Sequence, residues 1–92
     1  MVRQKLSSRD EIIMYVTTSC SDCRSAKAVF EEMKIPYRSI NIDEYPGAAQ
    51  IVEELTNGYQ SVPTIVFPDG KILIEPSTQM LQQHLSRYSD KS

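Results

Sequence analysis

Residues 12–23 read Ile12-Ile13-Met14-Tyr15-Val16-Thr17-Thr18-Ser19-Cys20-Ser21-Asp22-Cys23. The first five are apolar and rich in β-formers. The run is too short for a helix and shows no polar alternation, which predicts a strand buried on both faces. Downstream, Cys23, Ala26, Phe30 and Met33 recur at spacings of three, four and three, with Arg24, Lys27, Glu31 and Lys34 mostly off that line. That is the apolar stripe of one amphipathic helix, expected to end at Pro36. The chain thus passes from strand to helix at a pair of cysteines.

Tyr37-Arg38-Ser39-Ile40-Asn41-Ile42 places Ile40 and Ile42 on one face and predicts a second strand. Asp43-Glu44-Tyr45-Pro46 reads as a helix start, with acids near the first turn and proline just inside. Ala48, Ile51, Val52 and Leu55 are its expected inner stripe, and Asn57-Gly58 its end. Val62-Pro63 leads into Thr64-Ile65-Val66-Phe67, and Pro68-Asp69-Gly70 turns the chain back into Ile72-Leu73-Ile74 as a hairpin. Pro76-Ser77 opens a last helix, with Ser77 as N-cap and Leu81, Leu85 and Tyr88 on the core stripe. The order β-α-β-α-β-β-α predicts an α/β domain. Its first three elements form a right-handed parallel unit, and the hairpin completes a four-stranded mixed sheet with helices on both faces.

With 92 residues, the chain has room for one core, assigned to residues 11–88, with polar tails at 1–10 and 89–92. Apolar residues make up 40% and charged residues 24%, a balance that excludes a disordered or fibrous chain. The net charge of −2 is the wrong sign for a nucleic-acid partner. No apolar run is long enough to cross a membrane, and the N-terminal residues lack the apolar segment of a secretory signal. A cytoplasmic monomer is the expectation.

Two cysteines are too few for a secreted disulfide scaffold, and with His84 the only histidine, one chain cannot close a soft four-ligand zinc site. At a helix start, unpaired N–H groups and the helix dipole favour a thiolate, the species that attacks disulfides. Cys20 stands at that start and Cys23 on the apolar stripe. Cys20 is therefore read as nucleophile and Cys23 as the resolving thiol. Asp22 opposes ionisation of Cys20, while Arg24 and Lys27 favour it. Three other readings remain open: a structural disulfide, an iron–sulfur or zinc carrier using Cys20 in a dimer, and an interaction module in which the thiols are idle. His84 is read as a helix residue flanking the core, and Asp43 and Glu44 as helix-start acids that need no ligand.

Thr17-Thr18-Ser19-Cys20-x-x-Cys23, Ser61-Val62-Pro63-Thr64 and Phe67-Pro68-Asp69-Gly70 together resemble glutaredoxin-type members of the thioredoxin superfamily, over about residues 11–88. From Ser61 to Ser77 the chain looks most similar to mycoredoxins and NrdH-like redoxins. The resemblance implies a thioredoxin fold, a cis Val62-Pro63 bond and thiol–disulfide exchange on disulfide-containing proteins. It also implies a low-molecular-weight thiol (glutathione or mycothiol) or a flavoprotein reductase as electron donor, with no tightly bound cofactor and no metal. By the same resemblance Ser21, Asp22, Gln60, Val62, Pro63, Ser77 and Thr78 are the expected substrate or thiol contacts. The chain departs from the family in three places. Ser21-Asp22 replaces the usual Pro-Tyr or Gly-Tyr between the cysteines. Ser19 stands where mycoredoxins often carry an aromatic, and Glu75-Pro76-Ser77-Thr78 replaces a Gly-Gly-x-Asp segment.

Overall fold

The apolar run forms β1 (Ile13–Val16), the strand on which the rest of the sheet is built. A computed structural model describes residues 11–90; the tail expected at residues 1–10, with Lys91 and Ser92, lies outside the described residues. After β1 come α1 (Ser21–Glu32), β2 (Arg38–Asn41), α2 (Pro46–Leu55), β3 (Thr64–Val66), β4 (Ile72–Ile74) and α3 (Thr78–Asp90). The sheet order is β2-β1-β3-β4. β2 runs parallel to β1, from Ile13 opposite Arg38 to Val16 opposite Asn41. β3 is antiparallel to β1, and β4 to β3.

Successive side chains of a strand point to opposite faces, and here the two faces carry separate cores. Ile12, Met14 and Val16 pack with Cys23, Ala26, Val29 and Phe30 of α1, Ile65 and Phe67, Leu73, and Leu81 and Leu85 of α3. Tyr15 faces the other way and packs with Ile42, Ala48 and Val52. Helices α1 and α3 thus cover one face and α2 the other, the expected mixed sheet with helices on both sides. Each fully buried large side chain contributes about 1.5–3 kcal/mol relative to exposure, and Phe30, Val52, Ile65 and Leu85 are all 0% exposed. Burial pushes the Tyr15 phenol above its ordinary pKa.

The ends of α1 and α2 differ from the sequence reading. Helix α1 closes before Pro36 is reached. Lys34 adopts φ 59, in the left-handed region. Its N–H bonds the Glu31 carbonyl at 3.2 Å, and the Ile35 N–H bonds the Phe30 carbonyl at 3.0 Å. These are the two bonds of a Schellman cap, normally built on glycine. On α2, Ala48 and Val52 are buried, but Ile51 is 45% exposed. It lies at the flank of the stripe, and among the described residues no second helix contributes to this core to cover it. Asp43 and Glu44 precede the helix, which begins at Pro46 with no side-chain cap from Tyr45.

The hairpin turn follows the sequence reading: the Gly70 N–H bonds the Phe67 carbonyl at 2.9 Å, and Asp69 Oδ1 accepts the Lys71 N–H at 3.0 Å. Ser77 Oγ accepts the Met80 N–H at 3.1 Å and caps α3. That helix continues through Ser89 and Asp90, which the sequence reading assigned to a tail. Tyr88, expected on the core stripe, lies outside the described side chains.

Lys34 supplies a stability test. Left-handed backbone costs a non-glycine residue about 1–2 kcal/mol, and glycine gives back about 0.4–1 kcal/mol through the freer unfolded chain. Lys34→Gly should therefore stabilise the fold by about 0.5–1 kcal/mol, read as a higher denaturant midpoint at unchanged slope. An equal or lower midpoint would contradict the left-handed cap.

Candidate functional site

The parallel ladder of β1 and β2 ends at Val16 and Asn41, with one further bond from the Ile42 N–H to the Val16 carbonyl at 2.9 Å. Beyond it the chain has only residues 17–19 in which to reach α1. Side chains take over where the ladder stops. The Thr18 N–H bonds Asp43 Oδ2 at 3.3 Å, Asn41 Nδ2 bonds Thr18 Oγ1 at 3.1 Å, and the Asp43 N–H bonds Asn41 Oδ1 at 2.8 Å.

Cys20 is the N-cap of α1, with extended backbone at φ −91 and ψ 107. Its carbonyl accepts the Arg24 N–H at 3.4 Å, and its Sγ accepts the Cys23 N–H at 3.0 Å. A sulfur thus fills the acceptor place usually held by a Ser, Thr, Asp or Asn oxygen. Cys20 and Cys23 are joined by a disulfide, with Cα atoms 5.2 Å apart. The two sulfurs are not equivalent. Cys23 is 2% exposed and belongs to the core, whereas Cys20 is only partly buried, at the edge of the same cluster. Ser21 and Asp22 are exposed on the first turn of α1, and Asp22 is the acid of that turn.

The Val62–Pro63 peptide bond is cis. Pro63 is buried, and Val62 packs against both core clusters, sharing one of them with Cys20. The loop is tied at several points. The Pro63 carbonyl accepts the Glu75 N–H at 2.8 Å. The buried Thr64 hydroxyl donates to the Ser61 carbonyl at 2.6 Å. Thr56, also buried, accepts the Tyr59 N–H at 3.1 Å and donates to the Tyr59 carbonyl.

The other expected contacts are arranged differently. The Gln60 amide donates to Glu53 Oε2 at 2.6 Å, so this side chain is bound back to α2. Ser77 and Thr78 are exposed at the head of α3, and the Ser77 oxygen is engaged in capping. His84 stacks edge-on against Phe67, ring centroids 4.5 Å apart, as a helix residue beside the core. A cleft of about 570 Å³ between β2 and α2 is lined by Tyr15, Arg38, Ile40, Tyr45 and Ile51 among others, and neither cysteine contributes to it. Among the described residues there is no cluster of three or more metal-ligating side chains. The sequence reading missed Thr18, Asn41, Thr56 and Thr64 as builders of the site. Thr18 and Thr64 stand inside the motifs quoted above, but nothing there marks them as ties, and Asn41 and Thr56 offer only a hydrogen-bonding side chain next to a strand or helix end, which many solvated residues share.

The glutaredoxin family model matches residues 12–73. A Mycobacterium tuberculosis protein assigned as a glutaredoxin is 30% identical over 74 residues, 80% of this chain and 88% of that one. Mitochondrial glutaredoxin-2 of Mus musculus is 31% identical over 72 residues, spanning 76% of this chain and 46% of the mouse protein. The X-ray structure of a structural genomics target protein from X. campestris has the same fold. It matches at a TM-score of 0.61 and 19% identity, covering 83% of this chain and 96% of that one.

Asp22 gives the electrostatic test of the site. Removing a like charge from the turn that carries Cys20 favours its thiolate. In the reduced protein, Asp22→Asn should move the titration of thiolate ultraviolet absorbance to lower pH and make the disulfide more oxidising. The effect should shrink at high salt because Asp22 is exposed. A titration that stays in place or moves to higher pH would refute this role.

Proposed function

Because the chain belongs to the glutaredoxin family, we propose that it reduces protein disulfides, or mixed disulfides with small thiols, by a dithiol cycle at Cys20 and Cys23. One observation carries the reading. A partly exposed sulfur caps a helix and is disulfide-bonded to a buried partner. Family membership and the cysteine pair support a thiol–disulfide oxidoreductase.

The Cys20 thiolate attacks one sulfur of the substrate disulfide. An S–S bond forms between that sulfur and Cys20, the substrate S–S bond breaks, and the other substrate sulfur leaves as a thiolate that takes up a proton. Cys23 then loses its proton and attacks Cys20 Sγ. This closes the Cys20–Cys23 bond and expels the second substrate thiol, so two electrons have passed from the dithiol to the substrate. The Cys23 N–H that bonds Cys20 Sγ stabilises negative charge on that sulfur in the reduced state, before it attacks. Burial keeps Cys23 from foreign disulfides and leaves Cys20 as its accessible target.

A low-molecular-weight thiol (glutathione or mycothiol), or a flavoprotein reductase, returns the electrons. The backbone of Val62 is the proposed pairing site for an extended substrate, with Pro63, Ser21 and Asp22 at its margin. Thr78 is the better candidate of the α3 pair, since Ser77 is held in its cap, and Gln60 joins only by leaving Glu53. A monomer in the reducing cytoplasm is the setting in which such a pair cycles.

The test is an NADPH-coupled assay run separately with glutathione and its reductase, mycothiol and its reductase, and thioredoxin reductase. One donor should turn the wild-type chain over, and Cys20→Ser should abolish turnover with it. Cys23→Ser should keep reduction of small-thiol mixed disulfides and lose reduction of protein disulfides. Full activity in Cys20→Ser would overturn the proposal.

A further inference from the structure

The bonds among Thr18, Asn41 and Asp43 form a closed ring, in which each residue is bonded to both of the others. Thr18 and Asp43 are exposed and Asn41 only partly buried. Water can satisfy such groups at little cost, so the net stability of each bond is small. What the ring supplies is geometry. It fastens the β1–α1 loop, two residues before Cys20, to the loop after β2, at the point where the backbone ladder has run out.

Resting on the thiol-exchange reading, we infer that Asn41 and Asp43 are positioning residues for Cys20. By holding Thr18 they fix Cys20 Sγ over the first N–H groups of α1 and beside the Val62–Pro63 loop. Asp43 acts as an acceptor. Its charge works against the thiolate, because a nearby negative charge disfavours ionisation.

The two roles of Asp43 predict opposite signs, which separates them. The readout is the alkylation rate of reduced Cys20 by iodoacetamide at neutral pH, in a Cys23→Ser background. Asp43→Asn removes the charge but keeps an acceptor for the Thr18 N–H, and should react at least as fast as the parent. Asp43→Ala removes both, frees the loop, and should react roughly tenfold slower, as Cys20 loses the helix N–H groups that favour its thiolate. Circular dichroism and the thermal midpoint report whether each variant is folded. Should Asp43→Ala fail to fold, Asn41→Ala opens the ring at two bonds while sparing the Asp43–Thr18 bond, and should also slow alkylation. If the folded alanine variants match their parent, or if Asp43→Ala and Asp43→Asn change the rate equally, the inference is overturned. A parent Cys20 no more reactive than free glutathione would instead contradict the thiol-exchange reading itself.

Discussion

Every α-helix begins with backbone N–H groups that have no partner inside it, and at the start of α1 one of these groups is given to sulfur. Cys20 Sγ lies 3.0 Å from the Cys23 N–H. The same contact caps the helix and brings Cys23 to the place where a disulfide closes. Much of the remaining structure can be understood as holding that turn still. α1 is anchored through Cys23, Ala26, Val29 and Phe30, all buried, so packing begins in its first turn, at Cys23. The loop in front of it is fixed by the ring on Thr18.

The sheet makes this economical. Because β1 alternates between two cores, one four-residue strand orders both faces of the domain and delivers the chain to Cys20. The hairpin of β3 and β4 then brings the Val62–Pro63 loop to the same side of the core, where Val62 and Cys20 share a cluster. Thr56, Thr64 and the Glu75 N–H tie that loop through its backbone and leave the Val62 side chain partly exposed. A rigid loop beside an accessible sulfur fits a chemistry that depends on where a disulfide is held rather than on an elaborate set of catalytic groups.

Much of this was legible in the sequence, because strand and helix periods are properties of apolar residues that must be buried. The run at Ile12 to Val16, the α1 stripe, the hairpin at Pro68-Asp69-Gly70 and the Ser77 cap all have local causes. The differences arise where the cause is not local. Lys34 sits in a left-handed cap that favours glycine, because Ile35 and Phe30 must meet to close α1. Ile51 has the spacing of a core residue, but among the described residues no second helix joins the core on its side of the sheet. Asp43 looks like a helix-start acid, yet its partner is Thr18, 25 positions away. Gln60 belongs by position to the substrate loop, while its amide is held by Glu53. Long-range hydrogen bonds leave no periodic trace, and they are what aim the site.

The central claim is that the Cys20–Cys23 bond is a reversible couple carried by a fold that does not need it closed. The most direct measurement is an equilibrium titration of the wild-type chain across graded ratios of reduced to oxidised glutathione. Free thiols are counted by alkylation and mass spectrometry, and folding is followed by circular dichroism. The account predicts one two-electron transition between disulfide and dithiol, with the fold intact on both sides. A disulfide that stays closed across biological thiol poise, or that opens only as the chain unfolds, would make the bond structural and contradict the account.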